Sequence, residues 1–219
     1  MSQFSSTDST STLISPSLKP PLSLENPTKL GIMASGSGSN FEAIAQAIQD
    51  KQLPAHIQVL IYNNPKATVR ARAQRWHVPA VLLNHRQFKR REDLDRSIVD
   101  VLQQYEVQWV VMAGWMRVVT PVLLKAFPQR IINIHPSLLP SFRGVRAVEQ
   151  ALQAGVKITG CTAHFVALEI DSGQIIMQAA VPVLANDTAD TLHARIQVQE
   201  HRILPQAIAI ASSPVGTGK

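Results

Sequence analysis

The chain has a single cysteine, Cys161. No internal disulfide can form, which fits a reducing compartment. No apolar run reaches the roughly 18 to 20 residues that a membrane span needs. The first residues lack the basic start and apolar stretch of a secretory signal. A cytoplasmic protein with no membrane partner is therefore expected. Metal chemistry also lacks its usual marks: there is no CxxC, no HExxH, and the 7 histidines are scattered, so no metal is expected. A nucleotide-triphosphate loop would need Gly-Lys-Ser/Thr, which is missing. The Gly-x-Ser-x-Gly elbow of a serine hydrolase is missing too.

What is present suffices for one core. Of 219 residues, 45% are hydrophobic, which suits a single compact domain. Residues 1–28 stand apart. From Ser5 to Thr12 the chain is all hydroxyl side chains except Asp8, and Pro16, Pro20, Pro21 and Pro27 follow. Such a segment buries too little apolar surface to offset its ordering entropy. We expect a disordered extension over 1–28 and one catalytic domain over 29–219. A transit peptide would be rich in arginine, and this segment has none.

The formal net charge of +6 is unevenly spread. Between Lys66 and Arg91 lie Arg70, Arg72, Arg75, Arg86, Lys89 and Arg90, with no acidic residue among them. These charges can be solvated helix faces, or a field that draws in small anions. Only Trp76 and Phe88 interleave with them and no nucleic-acid-binding motif occurs, so nucleic acid is not an expected partner.

Apolar periodicity gives the fold class. It predicts strands over Leu30–Ala34, His56–Tyr62, Val78–Leu83, Val107–Ala113 and Arg130–Ile134. Helices are predicted over Phe41–Ile48, over Ala67–Trp76, and through about Tyr105. Strands alternating with helices imply right-handed crossovers in an open, mainly parallel twisted sheet with helices on both faces. Ile158–Val166 and Gln174–Val183 alternate like antiparallel strands towards the C-terminal end, around a turn at Asp171-Ser172-Gly173. A closing helix fits Thr188–Ala211, capped by Asp187 or Thr188, with Pro205 expected to kink it or end it early.

Two loops carry candidate chemistry. Ser35-Gly36-Ser37-Gly38-Ser39-Asn40 joins the first strand to the first helix. Glycines admit close backbone approach, and Ser39 stands three residues before Glu42, the spacing of a capping box. A helix N-terminus there can hold an anion, or the loop can be an ordinary Gly-rich turn. A dinucleotide fingerprint would place a third glycine where Phe41 stands and an acidic residue where Asn63-Asn64 stand. A simpler phosphate, such as one on a sugar, fits better.

The second loop, Asn133-Ile134-His135-Pro136-Ser137-Leu138-Leu139-Pro140, follows the fifth strand. Alternation puts Asn133 and His135 on one side. An amide donor beside an imidazole suits addition to a carbonyl, where an oxyanion develops. Alternatively His135 merely satisfies backbone groups in a turn. Asp171 favours the chemical reading, because a carboxylate beside the ring would orient it and favour its charged form. Leu139-Pro140 is the candidate cis bond. Cys161 beside His164 reads better as a buried strand cysteine than as a nucleophile.

Four segments then combine: SGSGSN at 35–40, AGWMRVV at 113–119, NIHPSLLPSFRG at 133–144 and GCTAHFVALEIDSGQII at 160–176. Together they resemble the phosphoribosylglycinamide formyltransferase family, folate-dependent enzymes of purine synthesis, over about residues 29 to 211. The resemblance implies the Rossmann-like formyltransferase fold. It implies transfer of a formyl group from 10-formyltetrahydrofolate, as co-substrate, to the amine of glycinamide ribonucleotide. Gly38, Ser39 and Asn40 would hold the phosphate, and Glu200 would contact the same substrate. Arg91, Met116, Arg117, Val118, Val119 and Asn133 would line the folate site. Asn133, His135 and Asp171 would be catalytic, with His164 supporting them. No metal and no nucleic acid would be needed, and the chain would be a monomer or homodimer. The alternatives are a formyltetrahydrofolate deformylase-like hydrolase and a non-catalytic anion- or nucleic-acid-binding module.

Overall fold

A computed structural model of the chain describes residues 13–17 and 27–213. In chain order the elements are β1 (Ile14–Ser15), β2 (Thr28–Ala34), α1 (Ser39–Gln49), β3 (Ala55–Tyr62), α2 (Val69–Arg75), β4 (Ala80–Leu82), α3 (Arg91–Gln104), β5 (Trp109–Met112), α4 (Pro121–Ala126), β6 (Ile131–His135), α5 (Ala147–Gln153), β7 (Ile158–Phe165), β8 (Ile175–Pro182) and α6 (Ala189–Ser212). Among the described residues the strands form one sheet in the order β1-β8-β7-β6-β5-β2-β3-β4. The run β6-β5-β2-β3-β4 is parallel, and β7, β8 and β1 each pair antiparallel to their neighbour.

Alternation along each strand feeds two cores. Leu30 and Ile32 of β2, Leu60 of β3, Val111 of β5 and Ile132 of β6 meet α1, α2, α5 and α6 on one face. Met33, Val59, Ile61, Val110 and Ile131 of the same strands meet Leu94, Ile98 and Leu102 of α3 and Leu123 of α4 on the other. With both faces covered, these strands read as nearly continuous apolar runs.

The chain runs from β2 outwards through β3 to β4, then returns to lay β5 on the other side of β2. The strand order thus reverses between β2 and β5, where open parallel sheets leave a crevice beyond the carboxyl ends. The loops after β2 and β5 meet there. Ser35 N donates to Gly114 O at 3.1 Å, and Met116 N donates to Ser35 Oγ at 2.9 Å.

Three features depart from the expectation. Helices α4 and α5 are too short to show apolar periodicity. Helix α6 opens on Thr188, in a reciprocal pair with Thr191, and runs through Pro205 to Ser212. Proline costs about 3 kcal/mol inside a helix, but Ile203, Leu204, Ala207 and Ile208 around it are all buried against the sheet. Packing of that stretch outweighs the missing hydrogen bond.

The third concerns the amino-terminal segment, expected to lie outside the fold. Ile14 and Ser15 pair with Ala179 and Gln178 of β8, and Ala180 N donates to Leu13 O at 2.9 Å. Ile14 packs on the core. Composition hides this because the edge of β8 supplies what two residues alone lack: donors, acceptors and an apolar floor. Residues 1–12 and 18–26 lie outside the described residues. No described helix is long and apolar enough to cross a membrane.

A chain lacking residues 1–17 is expected to melt lower by about 2 to 8 °C, from ~1–2 kcal/mol of lost edge bonding and Ile14 burial. Scanning calorimetry checks this, and an unchanged Tm would show that β1 contributes nothing.

Candidate active site

The register of β6 against β7 assembles the polar cluster. Asn133 lies opposite His164, and His135 lies opposite Thr162. All four share one face of the sheet, because Ile132 and Ile134 between them, and Cys161 and Ala163 opposite, fill the other. Asp171 arrives from the connection between β7 and β8, residues 166–174, close to the 167–173 left between the two expected strands. Its φ is 50°. The turn is pressed onto the end of β7 at Gly173, where a Cβ would lie 1.7 Å from Phe165 O.

Asp171 is the hub. Its Oδ2 stands 3.3 Å from His135 Nδ1 and accepts from Gly144 N at 2.9 Å. Its Oδ1 stands 3.6 Å from His164 Nε2 and 3.5 Å from Asn133 Nδ2. Burial alone would raise the carboxyl, but the hydrogen bonds from His164 and Gly144 and the histidine charges outweigh it, so Asp171 titrates below the usual carboxylate value.

His135 is buried, and its other nitrogen, Nε2, lies 2.8 Å from Phe142 O. Both neighbours of the ring, a carbonyl and a carboxylate, can only accept hydrogen bonds. His164 Nδ1 donates to Phe165 O at 2.8 Å, and Nε2 stands 3.2 Å from Asn133 Nδ2. The neutral His164 ring accepts from Asn133, and the charged ring donates to Asp171. The resemblance had His164 supporting the candidate catalytic residues. The β6–β7 register puts it in contact with two of the three candidate catalytic residues. A leucine–proline cis bond forms at Leu139-Pro140, as the sequence suggested.

The glycine loop lies at the end of the neighbouring strand but one. Its cap is Gly38, φ 77°, and not Ser39. Glu42, expected to reach back to the loop's backbone, instead accepts from Arg72 at 2.7 Å, Arg75 at 2.8 Å and the Trp76 indole at 2.8 Å. Three strong donors outcompete one backbone N–H. They hold Glu42 below its usual value against the opposing effect of burial. Arg72 Nε also donates to Ser37 O at 2.8 Å, and Val69 N donates to Gly36 O at 3.2 Å, so α2 braces the loop.

Helix α6 braces it from the other side. Gln197 Nε2 donates to Ser39 Oγ at 2.9 Å, and Asn40 Nδ2 donates to Glu200 Oε2 at 2.9 Å, from positions one turn apart. Glu200 is buried, which raises its carboxyl despite the Asn40 bond and the nearby His193 and His135. Among the described residues, Asn40 Oδ1 is buried with no hydrogen-bond partner.

Of the third candidate set, Met116 is 78% exposed and Val118 exposed, whereas Val119 is buried and packs with α3 and α4. Among the described residues, Arg117 Nε is buried without a partner. Arg91 opens α3, exposed, one turn before Asp95. Buried Asp95, its carboxyl raised by that burial, accepts from Thr120 N at 2.6 Å and ties α3 to the end of the 113–120 loop. Among the described residues no hydrogen bond or ion pair joins Arg91 itself to residues 116–119.

A family model described as formyl transferase matches residues 28–208. The phosphoribosylglycinamide formyltransferase of Bacillus subtilis is 39% identical over 180 residues, 82% of this chain and 92% of that protein. The trifunctional purine biosynthetic protein adenosine-3 of Bos taurus is 40% identical over 185 residues, 84% of this chain. The chain spans only 18% of the length of that trifunctional relative. The crystal structure of glycinamide ribonucleotide transformylase 1 from Symbiobacterium toebii is 43% identical, with a TM-score of 0.84 over 85% of this chain and 88% of that one. That of phosphoribosylglycinamide formyltransferase from Bacillus halodurans is 42% identical, with a TM-score of 0.82 over 85% of this chain and 96% of that one.

Two outcomes are expected. Gly38→Ala places a Cβ 2.3 Å from the Val69 side chain at a left-handed φ, so the loop must shift and anion affinity should fall about tenfold or more. Titration calorimetry with a sugar phosphate ligand measures it, and unchanged affinity would remove the loop from the binding site. Glu200→Gln keeps an acceptor for Asn40. The Glu200 carboxyl, raised in the fold, contributes stability below its unfolded value near 4.5, lost as pH rises through the folded value. The Tm gain of Glu200→Gln over the parent should therefore be larger near pH 7.5 than near pH 4. A pH-independent gain would contradict the raised value.

Proposed function

This chain belongs to the formyl transferase family, and from that premise we propose that it transfers the formyl group of 10-formyltetrahydrofolate to the amine of glycinamide ribonucleotide. The products are formylglycinamide ribonucleotide and tetrahydrofolate, in purine synthesis. The observation that carries the proposal is the His135–Asp171 pair beside Asn133, in the same crevice as the Gly38–Asn40 helix start. The close relatives bear the name of this activity.

Each candidate set takes a part. The first amides of α1 suit a phosphate dianion. The exposed apolar side chains Met116 and Val118 suit the face of a pterin. The amine nitrogen attacks the formyl carbon, and the carbonyl electron pair moves onto oxygen. His135 Nε2–H, which donates to Phe142 O, is the ring hydrogen that this oxyanion takes over. The second Nδ2 hydrogen of Asn133 is held only by a 3.5 Å contact to Asp171, long for a hydrogen bond, and can turn to the same oxygen. The tetrahedral centre then collapses, and the carbon–nitrogen bond to the folate breaks. The attacking nitrogen loses one proton and the leaving nitrogen gains one, with His135 as the relay within reach. Asp171 stays ionised and keeps the ring oriented, as its lowered titration allows. Among the described residues no cluster of three His, Cys, Asp or Glu is arranged to hold a metal ion.

The test is conversion of 10-formyltetrahydrofolate to tetrahydrofolate that depends on glycinamide ribonucleotide. Formate release without the amine would instead indicate a deformylase. His135→Ala and Asp171→Asn should each lower kcat by about 100-fold or more with KM nearly kept. Near-normal turnover in either variant would sink the mechanism.

A further inference from the structure

The face of the sheet that carries His135 also carries a row of residues in register across four strands. His135 of β6 faces Thr162 of β7, Thr162 faces Gln178 of β8, and Gln178 faces Ser15 of β1. Nothing in the proposed chemistry uses Thr162 or Gln178. Both nevertheless hydrogen-bond to one segment, the loop from Pro136 to Phe142.

Thr162 is fully buried. Its hydroxyl donates to Ser137 O at 2.7 Å, and accepts from Leu139 N at 3.1 Å and from Gln178 Nε2 at 3.0 Å. One donor and two lone pairs are all that a hydroxyl has. Gln178 Nε2 sends its second hydrogen to Leu139 O at 3.0 Å. The loop is closed further on by Ser137 Oγ donating to Ser141 O at 2.6 Å. Phe142 comes next, at φ 55°, and its carbonyl oxygen receives His135 Nε2–H. Thus the two partners of the imidazole are anchored separately. Asp171 is held by its own turn and Gly144, and Phe142 O is held by the Thr162–Gln178 pair through the loop.

We propose that Thr162 and Gln178 are positioning residues that fix the His135 imidazole by clamping the 136–142 loop that carries its second acceptor. Neither touches the reacting atoms. Their effect is on where Nε2–H points. An imidazole held at one end only can swing about its Asp171 contact, and displacement of a reacting group by about 1 Å can cost roughly 100-fold in rate. The inference deepens the formyl-transfer reading and rests on it only for the kinetic part of its test.

The test compares Thr162→Val, Thr162→Ser and Gln178→Leu with the parent. The first readout needs no substrate: the pH titration of the His135 ring, followed by nitrogen-15 and proton NMR. Thr162→Val and Gln178→Leu should move that titration relative to the parent, and Thr162→Ser, which keeps the hydroxyl, should restore it. The second readout is steady-state kinetics. In Thr162→Val kcat should fall about 10- to 100-fold with both KM values within about threefold, and Thr162→Ser should recover most of the rate. If the Val variant does not fold, Gln178→Leu decides, since it leaves Thr162 in place. A lower Tm with unmoved His135 titration and unchanged turnover per folded molecule would overturn the proposal, since the row would then be only structural. Failure of every variant to fold, Ser included, would overturn it as well. Absence of formyl transfer in the parent, with the His135 titration still displaced in Thr162→Val, would fault the functional reading and leave the clamp standing.

Discussion

A carboxylate with little water around it must find its partners in the protein, and Asp171 finds four. Its side chain is nine-tenths buried, and His135, His164, Asn133 and the Gly144 amide all face its two oxygens. Burying a charge is costly unless it is paired and hydrogen-bonded. The rest of the site follows from meeting that cost. The imidazole of His135 is turned so that Nδ1 faces the carboxylate. The loop beyond Phe142 is folded so that a backbone N–H reaches it. The β6–β7 register brings His164 to its other oxygen.

The sheet's topology supplies the second half of the crevice. Reversal of strand order between β2 and β5 leaves two loops side by side, and both are held by packing elements that do no chemistry. Helix α2 supports the glycine loop through Val69 and Arg72, and α6 supports it through Gln197 and Glu200. Asp95 does the same for the loop after β5. Loops usually carry function because a rigid scaffold can aim them. Here the aiming is done by side chains from the next layer of helices.

Much of this was legible in the sequence. The parallel strands were visible because burial on both faces makes them continuous apolar runs, such as Val107–Ala113. The grouping of Asn133, His135 and Asp171 was legible because strand alternation and the Gly-containing turn limit where those side chains can go. What was hidden depends on contacts between distant segments. Glu42 has the spacing of a capping residue, but Arg72, Arg75 and Trp76 stand some 30 positions away and take it. Pro205 should kink a helix or end it on local grounds, and with tertiary packing around it the helix runs on to Ser212. The strand at Ile14–Ser15 has no local signal at all, because its stability lives in the edge of β8. Thr162 becomes a neighbour of the catalytic candidates only once the antiparallel register is known.

The backbone at Asp171 adds a constraint of a different kind. Its φ of 50° lies in the left-handed region, which asparagine and aspartate enter readily and most other side chains resist. The hydrogen-bond network, for its part, asks for a negative charge on a short arm. Glycine and asparagine pass the conformational filter but fail the electrical one. Glutamate passes the electrical one, but its arm is longer. Aspartate alone meets both, so substitutions at this position have no neutral intermediate: any single step away from it gives up either the fold of the turn or the charge within it.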